Sequence, residues 1–198
     1  MEWYVILAQA LWIIFPAYVA NASAVLVGGG RPIDGGKTWK DGKRVLGDGK
    51  TWRGLISGAF VGMTAGFAMS VGAWYINTTE YSYVGLNIFL GFPLMIPLLF
   101  SLCFGALLGD ITESFFKRRI GKDRGQDWFV FDQLDFILGA LLFSFIFSGI
   151  QQLLLGTNWF FSNFTLWHLL VLLVMTPLFH LTANFVLRKT RKKEQAKI

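Results

Sequence analysis

The chain has 198 residues and a net charge of +6; 54% of its residues are hydrophobic and only 15% are charged. A soluble domain of this size needs more polar residues to cover its surface, so the composition excludes an ordinary soluble protein and favours one whose solvent is lipid. The single cysteine, Cys103, excludes an intramolecular disulfide. We therefore predict an all-α integral membrane protein.

Apolar segments that cross the hydrocarbon layer need about 20 residues. Five segments qualify, at 3–27, 55–76, 86–108, 136–155 and 166–187. The first has no basic region before it and is too long for a signal peptide, so we expect it to be retained. The sequence thus predicts a single domain, 1–198, with five transmembrane helices, two long loops at 28–54 and 109–135, and a tail at 188–198.

The cations predict the orientation of these helices. All 18 Lys and Arg residues fall in the two long loops and the tail, as seven, five and six residues respectively. Five crossings place these three segments on one side, and the positive-inside rule makes that side cytoplasmic. We therefore predict a multi-pass protein of the cell membrane with its N-terminus outside and its C-terminus and functional site inside. The topology and an anionic substrate account for the positive net charge, so we do not expect nucleic acid as a partner.

Small residues form one face of the second helix. Gly54, Gly58, Gly62, Gly66 and Ser70 follow one another at intervals of four. Such a face lets another backbone approach closely. Packing against a helix of the same chain is the favoured interpretation, and a homodimer interface is the alternative.

The first long loop has the composition of a polyphosphate site. It contains nine glycines and seven cations, and the tetrapeptide Gly-Lys-Thr-Trp occurs at 36–39 and again at 49–52. Glycines let backbone amides approach an anion while lysines supply charge. A P-loop is excluded because Arg31 and Arg44 occupy positions that require glycine. The alternative is a solvated basic loop, and Asn21, near the end of the first helix, is either a packing residue or a ligand.

The second long loop contains carboxylates near two predicted helix ends. If the third helix continues past its apolar part, Asp110, Glu113, Ser114 and Lys117 lie on one face. A carboxylate at the membrane edge, as predicted for Asp110, is costly and is usually functional.

Two further aspartates, Asp132 and Asp135, share a face of the fourth helix if it begins there. With Asp110 they form a plausible Mg²⁺ site, because Mg²⁺ takes one or two carboxylates together with waters and substrate phosphates. Salt bridges or helix caps explain Glu113, Asp123 and Asp127 equally well. His168, His180 and Cys103 lack neighbours that would make them ligands or nucleophiles.

These motifs resemble a known family. The pattern Gly109-Asp110-x-x-Glu113-Ser114-x-x-Lys117-Arg118, followed by Asp132-x-x-Asp135, resembles the signature of CTP-dependent lipid cytidylyltransferases, including bacterial CDP-diacylglycerol synthases. The Asp-Gln-Leu-Asp-Phe run at 132–136 is similar to the archaeal branch, the CDP-archaeol synthases. So are Gly-Gly-x-Pro-Ile-Asp-x-Gly-Lys and Leu-Gly-Asp-Gly-Lys-Thr-Trp-Arg-Gly in the first loop.

The resemblance implies transfer of a cytidylyl group from CTP to an unsaturated isoprenoid glycerophosphate, with Mg²⁺ as cofactor and CDP-archaeol and pyrophosphate as products. It implies Mg²⁺ ligation by Asp110, Asp132 and Asp135, and binding of the CTP phosphates by Lys37, Lys43, Lys50 and Thr51. Lys117 and Arg118 would neutralise the lipid phosphate or pyrophosphate. Family positions without an assigned role are matched by Asn21, Gly28, Pro32, Asp34, Asp48 and Ser114. The lipid tails are expected in a groove between helices.

Three other functions are weighed against this one. A transporter is disfavoured because no charged residue lies at the middle of a predicted span. A CDP-alcohol phosphotransferase requires Asp-Gly-x-x-Ala-Arg, and the candidate run Asp41-Gly42-Lys43-Arg44 lacks Ala-Arg. A membrane scaffold whose basic loops bind anionic lipid stays open; it predicts little dependence on the aspartates.

Overall fold

The computed structural model describes residues 2–122, 128 and 131–195, with the backbone alone at 180 and 183–195. The helices of these residues are α1 Trp3–Leu26, α2 Trp52–Ile76, α3 Met95–Arg119, α4 Phe131–Leu155, α5 Trp159–Asn163 and α6 Leu166–Gln195. A 3₁₀ helix, Glu80–Val84, follows α2. The described residues form no strand, only isolated bridges between Pro32 and Thr51 and between Thr38 and Arg44. The all-α prediction is confirmed for this part of the chain.

Four helices, α1 to α4, are long and apolar enough to cross a membrane. Helices suit that environment because every backbone polar group is bonded within the segment. The apolar portion of α6 that the structure describes, Leu166–Phe179, is shorter than a full span. A multi-pass membrane protein is therefore supported, and the fifth span stays a prediction.

The small-residue face of α2 packs within the chain. A Cβ added at Gly58 would lie 2.8 Å from the carbonyl oxygen of Ala20, and one at Gly62 would lie 2.7 Å from that of Pro16, both in α1. At Gly66 an added Cβ would collide with Leu99 of α3. The intramolecular interpretation of this face is therefore confirmed, and no second copy is needed to cover it.

Helices α3 and α4 meet with their backbones in contact, at glycines for which the sequence predicts no packing role. An added Cβ at Gly109 would collide with the carbonyl of Asp135, and one at Gly139 would collide with that of Gly105. Close approach of this kind is what small residues allow between membrane helices. The crossing places Asp110 and Asp135 at the same end of the bundle.

The third helix begins at Met95, nine residues after the predicted start at Leu86. Segment 86–94 instead makes turns, with Phe89, Leu90 and Gly91 at positive φ. The apolar run misled the prediction because hydropathy does not register backbone breaks. Pro93, which has no N–H to donate, precedes the helix, and Pro97 lies in its first turn, where an N–H would have no partner.

Much of the predicted loop 109–135 is helical, because α3 continues to Arg119 and α4 begins at Phe131. The conditional prediction that Asp110, Glu113, Ser114 and Lys117 share a helix face is confirmed, since all four line one cavity. Asp123 and Asp127 lie outside the described residues, as does the side chain of His180.

Candidate active site

The first loop is organised around the buried carboxylate of Asp34. Its oxygens accept hydrogen bonds from the backbone N–H groups of Gly36, Leu46 and Gly47, each at 3.0 Å. Arg44 donates to the same carboxylate at 2.9 Å. Burial acts to raise the pKa of Asp34, but the Arg44 guanidinium and the backbone donors outweigh it and hold that pKa well below its usual range. Asp34 therefore shapes the loop from inside.

The loop is attached to the end of α3. Arg119 donates to the carboxylate of Asp41 at 2.8 Å, and Arg118 donates to the carbonyl of Leu46 at 3.3 Å. The ring of Trp39 packs edge-on against Phe115, with centroids 5.4 Å apart. These contacts bring the glycine-rich loop over the carboxylates of α3 and α4.

A cavity of about 480 Å³, called the acidic cavity here, lies between this loop and the two helix ends. Its described lining contains five carboxylates and three cations, and backbone from Gly28, Gly29 and Gly49 completes the wall. The carboxylates are Asp48, Asp110, Glu113, Asp132 and Asp135, and the cations are Lys50, Lys117 and Arg118. Carboxyl groups thus outnumber cationic groups among the described lining residues.

The two lysines of the acidic cavity are already paired. Lys50 Nζ lies 2.5 Å from Asp110 Oδ2, and Lys117 Nζ lies 2.6 Å from Asp132 Oδ2. Lys117 also lies 3.6 Å from Glu113 Oε1. These pairs hold both ammonium groups at the cavity wall.

Two carboxylate oxygens of this cavity, Glu113 Oε1 and Asp132 Oδ1, are buried without a hydrogen-bond partner. The two carboxyl groups lie close enough to interact directly. Buried oxygens of this kind are normally satisfied, and a hard cation would satisfy both. The pair therefore fits Mg²⁺ as a two-carboxylate site open to substrate.

The arrangement differs from the predicted ligand set. In the described part of the chain, no three carboxylate, imidazole or thiol side chains are grouped to hold one metal ion. Asp110 is paired with Lys50, and Asp135 Oδ1 accepts from the N–H of Phe136 at 2.6 Å. The predicted convergence of Asp110, Asp132 and Asp135 on one ion is not found, because pairing across the cavity depends on side-chain directions that spacing alone does not give.

A second cavity, the apolar groove, runs between α3 and α4 with a volume of about 520 Å³. Aliphatic and aromatic side chains form most of its lining: Leu108, Phe116, Trp128, Phe131, Leu134, Leu138, Leu142 and Phe143. Glu113 and Asp135 line both the apolar groove and the acidic cavity. The acidic cavity and the apolar groove therefore meet at these two carboxylates.

A third cavity, the basic cavity, has a volume of about 460 Å³ and lies on the other side of Arg118. Its described lining is Lys43, Arg44, Gly47, Asp48, Arg118, Gly121 and Lys122. Arg118 and Asp48 line this cavity and the acidic cavity alike. Lys43, a predicted substrate-binding residue, faces the basic cavity.

Nine of the residues predicted for the site line the acidic cavity: Gly28, Asp48, Lys50, Asp110, Ser114, Lys117, Arg118, Asp132 and Asp135. Thr51 instead caps α2, accepting from the N–H of Gly54 at 3.1 Å. Pro32 bridges to Thr51, and Lys37 is exposed on the far part of the loop. Asn21 is half-buried in α1 and does not line the three cavities.

Sequence reasoning gave Glu113 too little weight. Its position three residues after Asp110 was noted, but a salt bridge explained it equally well. Only the neighbouring α4 reveals that Glu113 stands where the apolar groove opens into the acidic cavity. Trp128, which stacks on Phe131 with centroids 4.4 Å apart and lines the groove, carried no detectable sequence signal.

Comparisons with known proteins identify the family of this chain. A family model described as CarS-like, CDP-archaeol synthase, matches residues 3–195. A CDP-archaeol synthase of Methanosarcina barkeri is 43% identical over 87% of this chain and 94% of its own. One of Thermococcus onnurineus is 44% identical over 90% of each chain.

A solved structure, described as an intramembrane enzyme for archaeal membrane lipid biosynthesis, superimposes with a TM-score of 0.68 at 34% identity. The match covers 90% of this chain and 94% of the chain in that solved structure. The predicted resemblance to CTP-dependent lipid cytidylyltransferases is thereby confirmed. The chain belongs to the CDP-archaeol synthase family of enzymes.

Proposed function

We propose that this enzyme transfers the cytidylyl group of CTP to the phosphate of an unsaturated isoprenoid glycerophosphate, releasing CDP-archaeol and pyrophosphate. One observation carries the proposal: the apolar groove and the acidic cavity share Glu113 and Asp135. Such a junction suits an amphiphilic substrate, whose tails occupy the groove while its phosphate lies among the charged residues.

The protein needs to contribute little covalent chemistry to this reaction. The lipid phosphate is already an oxyanion, so it attacks the α-phosphorus of CTP without a general base or a covalent intermediate. The barrier arises from bringing two polyanions together and from the charge that develops on pyrophosphate. Catalysis of this type consists mainly of positioning and electrostatic stabilisation.

The paired lysines supply that stabilisation. Lys50 reaches the cavity from the loop and is held by Asp110, while Lys117 is held between Asp132 and Glu113. Charges fixed in this way need little reorganisation when phosphates arrive. Arg118 has no carboxylate partner among the described residues. Its guanidinium donates to the carbonyls of Leu46 and Lys122. Arg118 lines the acidic cavity, where we expect it to bind a phosphate.

Mg²⁺ is the expected cofactor, and Glu113 and Asp132 are the residues best suited to hold it, with Asp110 and Asp135 nearby. When bound it would offset the negative charge of the substrate phosphates. Without a cation, the excess of carboxylates in the acidic cavity would repel a triphosphate. Nucleotide binding should therefore require a divalent ion.

We also propose five spans with the N-terminus outside and the tail and site in the cytoplasm. Support comes from the one-sided distribution of all 18 cations. A cysteine at Thr79 should react with an impermeant reagent from outside, and one at Thr38 only from the cytoplasm. Labelling of both positions from the same side would refute this topology.

The test of the reaction uses purified protein, Mg²⁺, CTP and a geranylgeranylated glycerophosphate, with CDP-lipid and pyrophosphate as the measured products. CTP should support turnover, while ATP and GTP should scarcely do so. A glycerophosphate without tails should be a poor substrate, because it forgoes the apolar groove. Comparable rates with ATP would contradict the assignment of CTP.

A further inference from the structure

The apolar groove has a definite length, because it runs along α3 and α4. Its lining extends on α4 from Phe131 to Phe143 and on α3 from Leu108 to Phe116. Asp135, where the groove meets the acidic cavity, lies eight residues before Phe143. At a rise of about 1.5 Å per residue, about 12 Å of groove lies between this junction and Phe143, towards the middle of the apolar helix α4.

Phe143 closes the end of the groove that lies farther from the acidic cavity. A Cβ added at Gly105 of α3 would lie 2.6 Å from the Cβ and 3.0 Å from the Cγ of Phe143, so this side chain begins directly over the α3 backbone. On α3 the lining ends at Leu108, three residues from Gly105. On α4, Ile146 and Phe147 do not line the groove. The described lining therefore ends at Phe143.

One long side of the groove is open to the surrounding lipid. Leu138 and Leu142, which lie between the junction and Phe143, are 51% and 55% exposed. On a membrane helix this surface faces lipid chains, which are as apolar as leucine. A tail longer than the groove can therefore leave it past Leu142 and enter the bilayer without a hydrophobic penalty. The protein contacts only the part of the tail that lies inside the groove.

The length of an isoprenoid chain can be compared with that of the groove. An extended polypeptide advances at most about 3.6 Å over three chain bonds, or about 1.2 Å per bond. The four chain bonds of one isoprene unit therefore advance about 5 Å. Two units span about 10 Å and three span about 15 Å. The segment between the junction and Phe143 thus holds two units, and a third would meet the Phe143 side chain.

We infer that the enzyme selects its lipid substrate by the two isoprene units nearest the glycerol, and that Phe143 is the residue that sets this limit. The inference rests on the proposed function and deepens it. Units beyond the second lie in the bilayer, where they make no contact with the groove. Because a tail that moves from lipid into the groove exchanges one apolar environment for another, the selection depends on packing within the groove and not on total tail length.

The test compares glycerophosphates whose tails contain one to four isoprene units. The value of kcat/KM for CDP-lipid formation is measured with CTP and Mg²⁺ in mixed micelles, at one fixed mole fraction of the lipid substrate. For the wild type it should rise about fivefold from one unit to two, because the second unit adds packing contacts, and should change less than about twofold from two units to four. Phe143→Ala should move this plateau to three units. Phe143→Trp, which keeps the end of the groove closed, should not.

The matched control is Phe145→Ala, which truncates an exposed phenylalanine of α4 that does not line the three cavities. Its plateau should stay at two units. Each profile is a set of ratios within one variant, so a general loss of folded or active protein cancels. Thermal unfolding of each variant checks that the fold is retained.

Three results would overturn the inference: a steep rise from two units to four in the wild type, a wild-type profile in Phe143→Ala, or a plateau at three units in Phe145→Ala. Failure of the proposed function is distinguishable. If ATP replaces CTP with the same tail profile, the cytidylyl assignment fails and the inference about the groove stands. If CDP-lipid forms from CTP with a rate that ignores Phe143, only the inference fails. No lipid product from any of these substrates would refute both.

Discussion

The two ends of the helix bundle differ in whether their buried polar side-chain atoms have hydrogen-bond partners. One end is formed by residues 77–94 and 156–165 and is called the amide end here. There Asn87 accepts a hydrogen bond from the N–H of Phe89 at 2.6 Å and donates one to Asn163. Nearby, His168 and Gln9 are hydrogen-bonded at 3.1 Å. At the end with the acidic cavity, the carboxylate end, oxygens of Glu113 and Asp132 are buried without a hydrogen-bond partner.

The difference separates structure from function. All buried side-chain atoms without partners that the described residues contain belong to Glu113, Arg119, Asp132 and Gln133, in the last turns of α3 and the first turn of α4. Because the polar groups of the amide end are hydrogen-bonded, the missing hydrogen-bond partners at the carboxylate end are not a general property of the bundle. Of these, the oxygens of Glu113 and Asp132 belong to residues that line the acidic cavity, where a ligand would complete their bonding.

The largest expected effect tests the carboxylate end. Asp132→Asn keeps the shape of the side chain but removes the charge that pairs with Lys117 and is available to a metal ion. Turnover should fall about a hundredfold or more, measured as initial rates over a range of Mg²⁺ concentrations. The control, Glu80→Gln, neutralises an exposed carboxylate at the amide end and should be close to neutral. Near-normal rates and Mg²⁺ dependence in Asp132→Asn would assign this aspartate to structure.

The next effect concerns how the carboxylate end is assembled. Gly109→Ala would force α3 and α4 apart, because the new Cβ collides with the carbonyl of Asp135. We expect a loss of about 1–3 kcal/mol in the free energy of unfolding together with a loss of activity, measured by thermal unfolding and initial rates. Gly149→Ala, on α4 with open space around it, is the matched control and should lose neither. Equal stability of the two variants would contradict the tight crossing.

A comparable change at the amide end should affect stability alone. Asn87→Ala leaves Phe89 N–H, Trp159 Nε1 and Asn163 without this partner. The free energy of unfolding should fall by about 1–3 kcal/mol, while the rate per folded molecule and the KM for CTP stay unchanged. A selective rise in the KM for CTP would break the division between the two ends.

The smallest effect at neutral pH concerns Asp34. Because its folded-state pKa is depressed, its contribution to stability is present above the unfolded pKa of about 3.9 and is lost as the pH falls through the folded value. Proteolysis of the first loop should therefore be constant from neutral pH down to about pH 5 and should rise below about pH 4. Asp34→Asn should be cleaved more readily at neutral pH and lose this acid dependence. Glu80→Gln, at an exposed carboxylate of the amide end, should resemble the wild type.

Much of the carboxylate end was predictable because its information is local. Spacing along one helix placed Asp110, Ser114 and Lys117 on a common face, and the structure confirms it. The family signature pointed to Asp132 and Asp135, which line the same cavity. The start of α3 was predicted wrongly, because the apolar run at 86–94 hides a set of turns before Met95.

The sequence by itself determined the lipid-compatible composition, the helical faces, the grouping of all Lys and Arg residues in three segments and the family, since each depends on residue type and on spacing along one segment. Only the tertiary structure decided that Lys50 pairs with Asp110, that Asp34 lies inside the loop, and that Glu113 joins the groove to the cavity. These contacts join residues that are distant in sequence. Their geometry depends on how closely α3 and α4 pack and on how the loop is held over them, and no local periodicity records either.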